Sequence, residues 1–114
     1  MVDQRLFSIK ETRRLTDSVF LSVLSGDASG ITAPGQFIDI RLPGLFLRRP
    51  ISLCDCDRSR GLVTIVYKCV GRGTELLSSL PAGTELDVLT GLGNGYDLSR
   101  SGSAPVLIGG GAGI

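Results

Sequence analysis

Gly61-Leu62-Val63-Thr64-Ile65-Val66-Tyr67-Lys68, then Gly71-Arg72-Gly73-Thr74-Glu75-Leu76-Leu77-Ser78-Ser79-Leu80, holds the change of period on which the fold turns. The first run is rich in β-branched residues and reads as a strand. Past Gly73 the apolar spacing becomes helical: Leu76, Leu77 and Leu80 recur on one face, and the pattern stops at Pro81-Ala82-Gly83. One short helix is predicted over residues 74–80.

Outward from this stretch the chain reads as short strands separated by turn chemistry. Phe7, Ile9 and Glu11 alternate with Ser8, Lys10 and Thr12, and residues 19–24 form a β-rich run closed by Ser25-Gly26-Asp27, a first antiparallel pair. Ala33-Pro34-Gly35 is a turn signal before a strand over residues 36–42, which Pro43-Gly44 ends. Arg48-Arg49-Pro50-Ile51-Ser52-Leu53 opens a fourth strand, with Pro50 where a ladder N–H is dispensable. Residues 84–89 form the last, with Leu86 and Val88 on one face. About six strands with one short helix predict an all-β fold, a small closed antiparallel barrel, because closure removes exposed sheet edges.

The C-terminal stretch is of another kind. Residues 99–103 are polar and linker-like, and Ala104-Pro105-Val106-Leu107-Ile108 is an apolar run that enters Gly109-Gly110-Gly111-Ala112-Gly113-Ile114. A buried strand feeding a glycine-rich turn is how a dinucleotide-binding domain begins. Residues 1–103 are therefore expected to form the barrel domain and 104–114 the start of a nucleotide-binding domain.

Composition excludes several functions. The chain has 114 residues, and 12 Lys+Arg against 11 Asp+Glu give a net charge of +1, without the clustered cations of a nucleic-acid binder. With no His, neither a Ser-His-Asp triad nor a His-ligated zinc site can be built. No apolar run approaches the ~20 residues of a transmembrane helix, and the N-terminus lacks a signal-peptide core, so no membrane association and a cytoplasmic location are expected. Cys54, Cys56 and Cys69, odd in number, read as free thiols, small strand or core residues rather than a metal site.

Two clusters could carry chemistry. Gly71-x-Gly73-Thr74 lies between a strand and a helix: glycines admit close backbone approach, and the first-turn N–H groups favour a phosphate. The same residues also make a plain tight turn in which the Thr74 hydroxyl caps the helix. Arg48-Arg49-Pro50-Ile51-Ser52 is the second. Adjacent arginines on a strand point to opposite faces, so one of them enters a given site. A guanidinium fork suits phosphate oxygens, and Ser52 adds a donor and acceptor beside it. Together, on a small barrel, the two clusters form a groove for an anionic dinucleotide.

These elements resemble the flavin-binding domain of the ferredoxin-NADP reductase superfamily, whose Arg-x-Tyr/x-Ser strand element corresponds to Arg49-Pro50-Ile51-Ser52. Within it the sequence is most similar to the electron-transfer subunits of class-B dihydroorotate dehydrogenases. Their Arg-Pro-Ile-Ser, Val-Tyr-basic-x-x-Gly-x-Gly-Thr and Leu-Gly-Asn-Gly-aromatic runs match residues 49–52, 66–74 and 92–96, and Pro34-Gly35-Gln36-Phe37 matches a habitual family turn.

The resemblance implies a Greek-key FAD-binding barrel. Arg49 is then expected on the FAD phosphates, with Pro50 in the same strand element. Ile51 is expected where many relatives set a Tyr against the flavin ring, and Ser52 near the ring's reactive edge. Val66, Tyr67 and Lys68 are expected along the flavin and ribityl side, and Gly73 and Thr74 at the pyrophosphate. No side chain of this chain is assigned a catalytic role and none a metal. The implied partner is an FMN-containing dihydroorotate dehydrogenase catalytic subunit in pyrimidine biosynthesis. NAD and a [2Fe–2S] cluster are expected only in the full-length subunit, and the 114-residue chain alone is expected to be inactive. Thr90-Gly91 stands where the family usually has Gly-Pro. Two other readings stay open: the FAD domain of another ferredoxin or sulfhydrogenase-type reductase, and a non-catalytic β-barrel interaction module.

Overall fold

The computed structural model describes residues 2–111. Six antiparallel strands close into a barrel: β1 (Asp3–Arg14), β2 (Val19–Gly26), β3 (Phe37–Arg41), β4 (Arg49–Asp57), β5 (Leu62–Lys68) and β6 (Glu85–Leu92). Their order around the barrel, β1-β2-β5-β4-β3-β6, is the expected Greek-key wrapping. Among the described residues a single α-helix, α1 (Arg72–Ser79), connects β5 to β6, and a 3₁₀ turn (Leu98–Arg100) follows.

The inward faces of the strands supply the core: Phe7, Ile9, Leu24, Ile38, Ile40, Val63, Ile65, Leu86 and Val88 are essentially solvent-free. Leu77 of α1 joins the same cluster, with Leu76 and Leu80 packed at its margin. The helix is thus held by its apolar side rather than by its own eight residues, which are too few to be stable alone.

Three one-residue bulges displace the simple alternation. On β1, Ile9 pairs Leu24 and Glu11 pairs Val23, so Lys10 is extra; Phe7 and Ile9 point inward before it, and the exposed Glu11 gives way to Thr12 after it. On β4, Cys54 is extra between Leu53 and Asp55, which leaves Cys54 exposed and turns Cys56 toward the core. On β6 the register with β3 slips between Leu89 and Leu92, where Gly91 takes φ +76. The last strand therefore continues past residue 89 to Leu92, with Thr90 fully buried. Bulges of this kind bend strands so that a small barrel can close.

Two expectations need correction. The helix begins at Arg72, not at residue 74, so Gly73 and Thr74 lie inside its first turn. The run 104–108 forms no strand: Val106, Leu107 and Ile108 are 82–95% exposed, because no neighbouring strand among the described residues offers them a ladder. The end of the glycine-rich run, residues 112–114, lies outside the described residues. Among those described, no helix is long and apolar enough to cross a membrane.

Leu77→Ala is expected to destabilise the chain by about 2–5 kcal/mol, the usual range for truncating a buried leucine. Urea unfolding followed by far-UV circular dichroism checks this; a loss below about 1 kcal/mol would mean that α1 is not anchored through Leu77.

Candidate functional site

β4 and β5 are paired only between Leu53–Asp57 and Leu62–Ile65. Beyond Leu53 and Ile65 the strands part. Residues 49–52 of β4 keep β3 as their ladder partner, and residues 66–68 of β5 keep β2. Each therefore has one unpaired edge along a shared seam, and α1 begins four residues after β5 ends. Pro50 pairs with Asp39 and belongs to this half-paired stretch, where a missing N–H costs little.

The expected site residues gather around the seam in two classes. Pro50, Ser52 and Lys68 are exposed, and Val66 is half-buried. Ile51 and Tyr67, by contrast, turn inward and belong to the core cluster. Ile51 thus packs in the barrel interior, and only its backbone borders the seam. The Tyr67 hydroxyl lies 3.0 Å from Ser22 Oγ, itself 2.9 Å from Thr12 Oγ1, and its ring stacks on Phe20 with centroids 6.3 Å apart. Burial pushes the Tyr67 phenol above its ordinary value, and the Ser22 hydrogen bond only partly offsets this. Tyr67 therefore stays a neutral packing group.

The two arginines do separate, Arg48 just before β4 and Arg49 as its first residue. Arg48 points away from the seam: it donates to the backbone carbonyls of Asp39 and Asp87 and meets the Asp87 carboxylate at 3.0 Å. Arg49 has no carboxylate within ion-pair distance among the described residues. Its Nη1 donates to the Leu47 carbonyl at 2.6 Å, and its stem lies over Gly73 in the first turn of α1.

At the helix start the N-cap, Gly71, has no side chain to accept from the first-turn N–H groups, so these remain available. Thr74 is committed elsewhere. Its Oγ1 accepts from the N–H groups of Val70 (2.9 Å) and Gly71 (3.3 Å), and the hydroxyl lies 3.2 Å from the Gly71 carbonyl. It shapes the loop by reaching back from inside the helix. A half-buried arginine with no carboxylate partner among the described residues, free N–H groups at a helix start and two open strand edges make one cradle suited to an anionic, elongated ligand.

A second fixed feature adjoins the start of β3. Gln36 is buried, and its Oε1 accepts from the N–H groups of Thr32 (2.8 Å) and Ala33 (3.1 Å) while Nε2 donates to the Gly93 carbonyl (3.1 Å). Tyr96 N–H donates to the Pro34 carbonyl at 2.8 Å, and Gly35, at φ +93, leaves room for the Tyr96 ring. The turn at 34–37 and the run at 92–96 are thus one structure. The Pro-Gly-Gln-Phe signal marked the turn, but nothing local in the sequence paired it with Gly93.

The three cysteines are free thiols, and among the described residues no group of three or more His, Cys, Asp or Glu side chains converges as a metal site. Half-buried Cys56 has its thiol pushed up chiefly by burial, which keeps it protonated.

No family model matches the sequence. By direct comparison the chain is similar to the electron transfer subunits of dihydroorotate dehydrogenase B (NAD(+)). That of Streptococcus mutans is 39% identical, matching 100% of this chain and 46% of the relative. That of Bacillus caldolyticus is 35% identical, with 100% and 47%. The chain thus spans about half the length of these curated relatives. Among solved structures, the NADH-dependent reduced ferredoxin-NADP oxidoreductase superposes with a TM-score of 0.74 at 31% identity, covering 80% of this chain and 34% of that one. The ferredoxin reductase in carbazole 1,9a-dioxygenase gives 0.74 at 26%, covering 98% and 36%. The barrel is of the ferredoxin reductase type.

Asp87 yields a pH prediction. Burial pushes its carboxyl up, but hydrogen bonds from Arg48 and Gln4 and the charges of Arg48 and Arg41 outweigh this and hold it below the ordinary 3.8. A depressed folded-state value adds stability that is present above the unfolded value and is lost as pH falls through the folded one. Parent and Asp87→Asn chains are therefore expected to converge in urea midpoint as pH falls from about 5 to about 2. A gap that does not narrow would show that the Arg48 pair adds no acid-sensitive stability.

Proposed function

We propose that this chain, related over its whole length to the electron transfer subunits of dihydroorotate dehydrogenase B, is the FAD-binding part of such a subunit. The observation that carries the reading is the pair of adjacent arginines: Arg48 is neutralised by Asp87, whereas Arg49 stands at the seam with no carboxylate partner among the described residues. A half-buried guanidinium in that position favours an anion, and the diphosphate of a dinucleotide is the fitting one.

The protein's own work is to bind and orient. Arg49 and the first-turn N–H groups of α1 hold the diphosphate. The open backbone edges of residues 49–52 and 66–68 offer donors and acceptors to the polar rim of a flat ring system. Exposed Ser52 adds a hydroxyl on the β4 side, and exposed Lys68 a cation on the β5 side. Val66 lines the seam, and Ile51 and Tyr67 stiffen it from within. When bound, FAD supplies the chemistry: it takes a hydride and gives up electrons singly.

By this reading, in the full-length subunit NADH would supply the electrons and a [2Fe–2S] cluster would carry them to an FMN-containing dihydroorotate dehydrogenase catalytic subunit in the cytoplasm. The cluster and the nicotinamide site are assigned to the full-length subunit rather than to these residues. Cys54, Cys56 and Cys69 do not carry the cluster. Whole-chain similarity to dihydroorotate dehydrogenase B subunits favours this acceptor over that of another reductase.

FAD binding by the 114-residue chain alone is expected to be weak, because the barrel covers one side of the flavin; sub-micromolar affinity by fluorescence titration would contradict this. Arg49→Ala is expected to cost about 1.5–3 kcal/mol of binding, or roughly ten- to a hundredfold in affinity. Arg48→Ala should change FAD affinity far less while lowering Tm, and equal binding losses would sink the assignment. Stopped-flow mixing of the FAD-loaded chain with NADH should bleach the flavin no faster than free FAD does, since hydride transfer needs a positioned nicotinamide.

A further inference from the structure

Gly71 and Gly73 flank one residue, yet only one has a neighbour that explains it. A side chain at Gly71 would meet nothing within 4 Å. A Cβ at Gly73 would stand 2.8 Å from Arg49 Cγ, 2.9 Å from Cδ and closer still to Nε. Comfortable carbon–carbon contacts lie at about 3.5–4.0 Å. Gly73 is moreover buried in a helix turn whose neighbours Gly71, Arg72 and Glu75 are exposed, so the arginine stem is what covers it.

Backbone conformation gives no reason for this glycine. Gly73 is absent from the glycines with positive φ and sits in ordinary helix, where alanine would be the better helix former. Nor can the arginine easily step aside. The clashing atoms are Cγ, Cδ and Nε rather than the Nη tip, and Nη1 donates to the Leu47 carbonyl at 2.6 Å.

We infer that Gly73 is a positioning residue that acts through Arg49: its missing side chain is the seat for the arginine stem and sets where the guanidinium stands at the seam. The packing half of this inference stands by itself, and the binding half rests on Arg49 meeting the flavin diphosphate. A methyl at position 73 moves the guanidinium off the seam while leaving its charge intact. Glycine at this position makes room for a side chain on another strand.

Four chains test this: parent, Gly73→Ala, Arg49→Ala and the double variant, each measured by thermal unfolding without ligand and by FAD titration. Gly73→Ala is expected to lower Tm in the parent, and to leave it unchanged or raise it once Arg49 is alanine. It should weaken FAD binding about tenfold in the parent and less than about twofold in the Arg49→Ala chain. A Tm loss of the same size in both backgrounds would overturn the seat, and an equal loss of FAD affinity in both would mean that the ligand itself needs the glycine. Crossing Tm effects with parent-like FAD affinity in Arg49→Ala would uphold the packing and overturn the diphosphate reading of Arg49, and the binding half with it.

Discussion

The parting of β4 from β5 is the constraint on which the site depends. Both strands are pinned along their other edges, β4 to β3 and β5 to β2, so neither can close the gap without giving up a ladder that the barrel needs. The extra residue Cys54 lies where the shared pairing gives out, and a bulge bends a strand there. The result is a pair of open backbone edges held rigidly apart, with α1 starting beside one of them. Backbone groups on such edges need partners, and in the proposed function the polar rim of a ligand supplies them.

Charge then gives the seam its preference. Chain direction and strand alternation send Arg48 and Arg49 to opposite sides, and the same residue type does two unlike jobs one position apart. Arg48 is spent on structure: it satisfies two carbonyls and the Asp87 carboxylate, tying β4 to β3 and β6. Arg49 keeps its charge, braced by the Leu47 and Arg48 carbonyls at its tip and by Gly73 along its side. In the proposed function this arginine, with no carboxylate partner among the described residues, is placed before an anion arrives, so little ordering is left to be done on binding.

Much of the architecture was legible from local pattern. Alternation and β-branched runs marked the strands, glycines and prolines marked the turns, and the shift to leucines at helical spacing marked α1. What pattern could not show were the three bulges, because one extra residue leaves composition untouched while reversing which side chains face inward. Glu11 therefore falls outside the core and Cys56 turns toward it. The helix starts earlier than pattern suggests because glycines read as loop, whereas Gly73 lies in the first turn at an ordinary helical position. The apolar run at 106–108 reads as a buried strand by composition, but a strand exists only where a neighbour supplies hydrogen bonds.

Sequence alone determined the barrel, its single helix and the two clusters from which the site is made, since hydrophobic period and turn chemistry act over a few residues at a time. It also fixed that adjacent arginines must diverge. Which arginine is neutralised was decided only by the tertiary fold, because Asp87 lies 39 positions from Arg48 and meets it only because β3 sets β6 one strand beyond β4. The same holds for Tyr67 and Ile51, whose residue types suit either a ligand wall or a core, and whose inward facing follows from closure of the sheet. It holds again for the seam itself, which comes from which strands pair and where they stop, a relation between distant segments that no local pattern records.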